Sequence, residues 1–180
     1  SEWSRSYRRR PVTDQMSEAL QLAVRALMSA SGRVIRPIGE RKTIFIFLDG
    51  AVEKSTTIGG VAVFPGRVMQ HWGCVVPQQI VDSWKTRKDQ KQVIGQAEIY
   101  PSLVARHTWK EYLNDCQLVT FIDNESARIS LVKQYSPVLP SLRILTQCSA
   151  FDVAHNLDTW YSRVPSEANI SDAPSRLDQE

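Results

Sequence analysis

Two hydrophobic rhythms divide this chain. Short continuous runs of β-branched and aromatic residues alternate with longer stretches in which apolar residues recur near every third or fourth position. The densest run is Thr43-Ile44-Phe45-Ile46-Phe47-Leu48, with no Pro or Gly inside. It predicts a buried strand over 43–48 that stops at Asp49-Gly50. Ile58-Gly59-Gly60-Val61-Ala62-Val63-Phe64 predicts a second strand. Pro65-Gly66 is a tight-turn signal, and Arg67 to Cys74 predicts a third, so the three form an antiparallel meander. Gln117 to Ile122 and Thr159 to Val164 predict a fourth strand and a fifth.

The helical rhythm begins at Thr13-Asp14, with Leu20, Leu22, Ala23, Ala26, Leu27 and Met28 on roughly one face, and ends at Ser31-Gly32. A second helix covers Val93 to about Asp115, through Ile94, Ala97, Val104, Ala105, Thr108, Trp109 and Tyr112. Pro101 would cost about 3 kcal/mol in a helix interior, so the regular part is expected to start close to Glu98, or to kink there. Further helices are expected over 125–134 and 141–155, with a short, possible helical end over 169–176. Residues 1–13 read as a basic arm, 33–41 as a linker holding Pro37 and Gly39, and 77–91 as a polar, basic stretch around Trp84. The reading is therefore arm, helix and linker over 1–41, then an α/β domain over 42–180. Its core is a mixed five-stranded sheet, three antiparallel strands then two parallel, with helices on both faces.

At 180 residues the chain is one domain, or one domain and an arm. The net charge is +3, but Arg5, Arg8, Arg9, Arg10, Arg33, Arg36, Arg41 and Lys42 load the first quarter. That bias favours a polyanionic partner, and a solvated basic tail is the ordinary alternative. The cysteines Cys74, Cys116 and Cys148 are odd in number, far apart and without a CxxC pair. They argue against a zinc site and a disulfide framework, and suit an intracellular, reducing compartment: nucleus, cytoplasm or an organelle. No stretch reaches the ~18 apolar residues of a membrane span. The first ten residues weakly resemble an organelle-targeting segment, and a fragment of a larger polypeptide is an equal alternative.

Four carboxylates then change the picture. Asp49 ends the first strand, Glu98 lies in the first turn of the long helix, Asp123 ends the fourth strand and Asp172 opens the final segment. Each has an ordinary reading as a turn residue, a helix N-terminal charge or an N-cap. If the first and fourth strands are parallel neighbours joined by a right-handed crossover, Asp49 and Asp123 share one end of the sheet. Glu98 can then lean over them, and Asp172 arrive from the other side. Carboxylates crowded together repel, and hard divalent cations relieve that repulsion. All-oxygen carboxylate sites suit Mg²⁺ or Mn²⁺, and two such ions about 4 Å apart hydrolyse phosphodiesters.

The acid-bearing stretches carry a family resemblance. They are Phe47-Leu48-Asp49-Gly50, Ile94-Gly95-Gln96-Ala97-Glu98, Phe121-Ile122-Asp123-Asn124-Glu125-Ser126-Ala127, and the run from Arg163-Val164-Pro165-Ser166 through Asn169-Ile170-Ser171-Asp172-Ala173-Pro174-Ser175-Arg176. Over about residues 43–177 the chain resembles the ribonuclease H domain of retroelement reverse transcriptases, of the DIRS-like or gypsy-like sort. The final run is the most specific part. The resemblance implies a ribonuclease H-like fold and metal-dependent hydrolysis of the RNA strand of RNA–DNA hybrids, with two Mg²⁺ or Mn²⁺ ions. Asp49, Glu98 and Asp123 would hold one ion with the attacking water, and Asp49 and Asp172 the second, near the leaving 3′ oxygen. Asn169 would orient the last loop. Gly59, Gly60, Gln96, Asn124 and Ser126 would meet the hybrid's minor groove, where 2′-hydroxyls are displayed. Lys85, Arg87, Lys88 and Lys91 with Trp84 would grip DNA phosphates; a solvated basic loop is the rival reading. Trp72, Trp109 and Trp160 are expected in the core or half-buried in the sheet. Many cellular ribonucleases H place a His in the loop before the last acid; residues 164–171 hold none, and His155 lies before the fifth strand.

A rival from another class is a domesticated, non-catalytic nucleic-acid-binding or structural subunit of a larger assembly, cut loose from a polymerase that these residues do not include. A Holliday-junction resolvase or integrase would share the acids but fits the Pro-Ser…Asn…Asp ending less well.

Overall fold

The computed structural model describes residues 11–29, 41–85 and 93–177. Helix α1 (Asp14–Ser29) leads into strands β1 (Thr43–Val52), β2 (Thr56–Phe64) and β3 (Val68–Val75). Helices α2 (Gln78–Trp84) and α3 (Ile94–Thr108) follow, then strand β4 (Gln117–Ile122). Helices α4 (Glu125–Lys133) and α5 (Leu139–Ala154), strand β5 (Asp158–Arg163) and the single turn α6 (Asp172–Ser175) complete the order. The sheet runs β3-β2-β1-β4-β5. β1, β2 and β3 pair antiparallel, and β1–β4 and β4–β5 pair parallel. The predicted mixed five-stranded sheet is the one observed.

Alternation along β1 sets the two faces. Ile44, Ile46 and Leu48 are buried with Ala105, Trp109, Leu113 and Phe151, on the face covered by α3 and α5. Phe45, Phe47 and Asp49 take the opposite face, where Phe47 stacks on Phe121 at 4.6 Å and α6 lies across β1, β2 and β3. The covered face also holds Arg106, which is 1% exposed. Its guanidinium forks onto Asp152 at 2.8 and 2.9 Å and donates to Tyr161 Oη and Ser102 Oγ, tying α3 to α5 and β5. Helix α1, capped by Thr13 Oγ1, reaches α5 through the Glu18–Arg143 ion pair.

Several expectations need correcting. β1 does not stop at Leu48: it continues through Asp49-Gly50 to Val52, because β2 stays paired with it as far as Val52–Thr56. What ends at Leu48 is the parallel ladder with β4. Asp49 therefore sits where β1 and β4 part, and Asp49-Gly50 is not a turn.

α3 starts at Ile94 and carries Pro101 in its interior, so Glu98 lies in the second turn. Burial of Gln96, Ala97, Glu98, Ile99 and Pro101 holds a helix that propensity alone would break. The carbonyl that Pro101 leaves without its helical donor is that of Ala97. A Cβ on Gly50 would stand 2.2 Å from the Ala97 carbonyl oxygen, so glycine lets that carbonyl pack onto β1.

Residues 78–84 of the polar stretch form α2, which turns Val81 and Trp84 inward. Trp109 is buried and Trp72 half-buried, as expected, but Trp160 is 70% exposed because β5 is the sheet's edge and its even-numbered side chains face away from α3 and α5.

Candidate metal centre

Three of the four acids meet at the end of the sheet. One oxygen from each of Asp49, Glu98 and Asp123 lies within 4.8 Å of the other two. β1 supplies Asp49 at the point where it leaves β4, and β4 supplies Asp123 just beyond its last paired residue. α3, brought close by the Gly50–Ala97 contact, supplies Glu98.

The local hydrogen bonds leave these carboxylates available. Asp123, expected as the cap of α4, is not the cap: Asn124 is, its Oδ1 accepting from the Ala127 N–H at 3.0 Å. The Asn124 amide also donates to Glu98 Oε1 at 3.3 Å. Glu98 Oε2 and Asp123 Oδ1 are buried with no hydrogen-bond partner. Orphaned acceptors of this kind are costly, and a bound cation satisfies them.

The electrostatics point the same way. Burial, then the charges of Asp49 and Asp123, push the Glu98 carboxyl up to about 8, against the Asn124 bond, which lowers it. Asp49 is also raised, first by burial and further by Asp123 and Asp172, while the hydrogen bond from Ser175 lowers it. Without a cation Glu98 therefore holds a proton at neutral pH. A hard divalent ion with oxygen ligands, Mg²⁺ or Mn²⁺, fits this donor set.

Asp172 stands outside the triad. It opens α6, and its Oδ1 accepts from Arg176 Nε at 2.9 Å. The turn is pinned beside Asp49 by Ser175, whose Oγ donates to Asp49 Oδ2 and to the Asp172 carbonyl. A flat floor permits this approach: a Cβ on Gly59 would lie 2.4 Å from the Ser175 nitrogen, and one on Gly73 would lie 2.0 Å from the Pro174 carbonyl oxygen. Asn169 fixes the preceding loop, donating to the Leu48 carbonyl at 3.2 Å and accepting from Ser171 Oγ at 2.7 Å.

The residues expected at a nucleic acid fare unevenly. Trp84 is 3% exposed and packs edge-on against Tyr100 at 5.2 Å, so it is a core residue and not part of a phosphate grip. Its spacing from Ile80 and Val81 is a helical signal that the surrounding charge obscured. Gly59 is covered by Ser175 and Gly60 by the Trp72 indole, so the backbone that the glycines admit is the protein's own. Gln96 is buried, its amide donating to Ser141 Oγ at 3.0 Å. Asn124 is half-buried beside Glu98, and Ser126 is exposed on the first turn of α4. Lys85 pairs with Asp82 at 2.7 Å; Arg87, Lys88 and Lys91 lie outside the described residues. The sequence reading missed Glu53, Ser175 and Arg176 as neighbours of the site. Only the Ser175-Arg176 pair, within the last acid-bearing run, offered a signal.

The sheet order and the helices packed on it make a ribonuclease H-like fold. The fold is similar to that of RNase H1 from the halophilic archaeon Halobacterium salinarum, with a TM-score of 0.55 and 18% identity over 74% of this chain and 95% of that one. It is likewise similar to the N-terminal RNase H domain of a Mycobacterium tuberculosis protein, at 0.53 and 11% identity over 76% and 92%. An RNase H1 isolated from compost gives 0.52 and 16% over 75% and 91%. No family model matches the chain, and no curated protein matches it. No helix among the described residues is long and apolar enough to cross a membrane.

Proposed function

We propose that the chain is a metal-dependent endonuclease that hydrolyses the RNA strand of RNA–DNA hybrids, the ribonuclease H domain of a retroelement-type reverse transcriptase. The observation that carries this is the Asp49–Glu98–Asp123 cluster, with its orphaned buried oxygens, at the end of a ribonuclease H-like sheet. The family assignment rests on the acid-bearing sequence runs, above all residues 163–176.

Asp49, Glu98 and Asp123 would hold one Mg²⁺ or Mn²⁺, and Asp49 with Asp172 a second. Such ions activate water and stabilise charge developing on the phosphodiester. The other residues orient the ligands. Asn124 steadies Glu98 through Oε1, leaving Oε2 free, and Ser175 fixes the rotamer of Asp49. Asn169 ties the Asp172 loop to β1, which sets how far Asp172 stands from Asp49. Glu98 releases its proton when the cation enters. The exposed Ser126, with Asn124, would meet a sugar hydroxyl of the RNA strand, the group that separates RNA from DNA. The free cysteines Cys74, Cys116 and Cys148 suit a reducing, intracellular compartment.

The test is incubation with a strand-labelled RNA–DNA hybrid in Mg²⁺ or Mn²⁺, beside Asp123→Asn. Cleavage of the RNA strand alone, lost in the variant, is the expected result. A folded, metal-loaded protein that leaves the hybrid intact overturns the reading in favour of a non-catalytic subunit.

A further inference from the structure

The two halves of the proposed centre differ in one respect: a cation already stands in the second. Arg176 Nε donates to Asp172 Oδ1 at 2.9 Å, and Arg176 Nη1 donates to Glu53 Oε1 at 3.1 Å. The negative charge of Asp49 also acts on the guanidinium, holding its proton more tightly. Two carboxylates, Glu53 before β2 and Asp172 on α6, thus share one guanidinium, and the charge of Asp49 on β1 lies close enough to act on it. Of these three acids, Asp49 and Asp172 are the pair assigned above to the second ion. Ser175 adds to the arrangement: it precedes Arg176 directly and occupies Asp49 Oδ2 through its hydroxyl.

We infer that Arg176 is the internal counter-ion of the second half-site, a positioning residue that keeps the second divalent ion out until a nucleic-acid phosphate takes its guanidinium. This deepens the nuclease reading and rests on it. The physical basis is competition. A divalent ion between Asp49 and Asp172 must displace, or sit against, a full positive charge that Asp172 and Glu53 already hold. The first half-site has no such rival: no cationic side chain is bonded to its acids among the described residues, and Glu98 Oε2 and Asp123 Oδ1 have no hydrogen-bond partner.

Release of Arg176 is open to it. The side chain is about half exposed (49%), as is Asp172, and Glu53 is 71% exposed. Surface ion pairs of this kind are individually weak. A phosphate diester offers the guanidinium two oxygens in the fork geometry it prefers. Arrival of the backbone would therefore draw Arg176 off Asp172 and Glu53, and leave Asp172 free to hold the second ion with Asp49. Bound nucleic acid and the second ion are coupled by the movement of one side chain.

The experiment is a Mn²⁺ titration of the nucleic-acid-free protein, followed by calorimetry and by the paramagnetic resonance of free Mn²⁺. It compares the natural protein with Arg176→Met, Arg176→Gln and Arg176→Lys, with circular dichroism as the check on folding. The natural protein is expected to bind one ion well and a second much more weakly. Either neutral variant should tighten the second ion roughly tenfold, the scale of one unit charge at a partly solvated site, and leave the first within about twofold. Arg176→Lys, which keeps the charge, should stay near the natural value. Second-ion affinity that is unchanged or lower in both neutral variants overturns the proposal, as does a lysine variant that behaves like methionine. Hybrid cleavage, assayed separately on the natural protein, keeps the two readings apart. Cleavage with an Arg176-insensitive second ion removes the counter-ion role alone. An Arg176-sensitive second ion without cleavage removes the nuclease reading alone.

Discussion

Replacing Glu98 with glutamine should make the metal-free protein more stable while removing a metal ligand. Glu98 is 8% exposed, and its carboxyl is pushed from an ordinary 4.5 to about 8, mostly by burial and then by Asp49 and Asp123. At pH 7 the folded, metal-free protein therefore holds a proton that the unfolded chain has shed. The folded state binds more protons across that interval, so its stability falls as pH rises from about 4.5 to about 8 and is flat on either side. At about 1.4 kcal/mol per pH decade, the interval of about 2.5 decades between 4.5 and pH 7 costs the folded state on the order of 3 kcal/mol. Glutamine has the shape of the protonated acid and no proton to retain. Its amide can also donate to Asp123 Oδ1, which has no partner. Glu98→Gln should therefore gain about 3 kcal/mol at pH 7, or roughly 6–12 °C in Tm for a chain of this size. The gain should shrink toward zero near pH 4.5. The assay is thermal unfolding followed by circular dichroism in a chelator at pH 5, 6, 7 and 8, repeated in Mg²⁺. In Mg²⁺ the natural protein should rise and the variant should not. A variant less stable than the natural protein at pH 7 in chelator, or a gain that does not shrink on acidification, would refute the reasoning.

The same proton governs metal affinity: Mg²⁺ binding to the triad should strengthen up to about tenfold per pH unit below about pH 8 and level off above it, once Glu98 is ionised, as calorimetry in buffers of different ionisation heat can show. Gly59→Ala places a methyl group against the Ser175 backbone, so α6 must shift; about 1–3 kcal/mol of stability should be lost, and hybrid cleavage should fall while triad metal affinity persists. Arg106→Ala leaves Asp152 without its forked partner in the core and should cost about 3–5 kcal/mol in denaturant unfolding, with no direct effect on the triad.

Much of the fold was legible because strand runs and helical spacing are local signals. The run 43–48 and the Pro65-Gly66 turn were enough to place the meander, and the apolar run before Asp123 gave β4; that β4 lies parallel beside β1 entered as a condition, which the pairing meets. What escaped was decided by contacts between distant residues. Pro101 reads as a helix breaker, and only the burial of residues 96–101 shows why the helix survives it. α2 was hidden because Lys85 and its basic neighbours outweighed Ile80, Val81 and Trp84 in the pattern. The Gly59-Gly60 pair correctly announced a close approach, but not that Ser175 and Trp72 would make it. The triad was visible as acids at element ends; the division of labour between Asp123 and Asn124 was not, because either residue can cap α4. Glu53 lies 123 residues from Arg176, and no local pattern links them.

The two halves of the proposed centre are built on opposite terms, and under that proposal they would load in a set order. Asp49, Glu98 and Asp123 are held by a sheet, a buried helix and an orienting asparagine, with a proton on Glu98 as the resting counter-charge. A proton leaves a carboxylate on entry of a divalent ion and needs no conformational change to do so. Asp172 and Glu53 are exposed, on a single helical turn and a tight β-turn, with a guanidinium as their counter-charge. That charge is tethered, so clearing it requires somewhere for the side chain to go. The buried half can load from solution, whereas the exposed half loads favourably only when another anion accepts Arg176. A polyanionic phosphate backbone is such an anion. A nuclease arranged this way assembles its complete centre on its substrate, and the pieces that enforce this are the Gly59–Gly73 floor that seats α6 and the Ser175-Arg176 pair that follows Asp172.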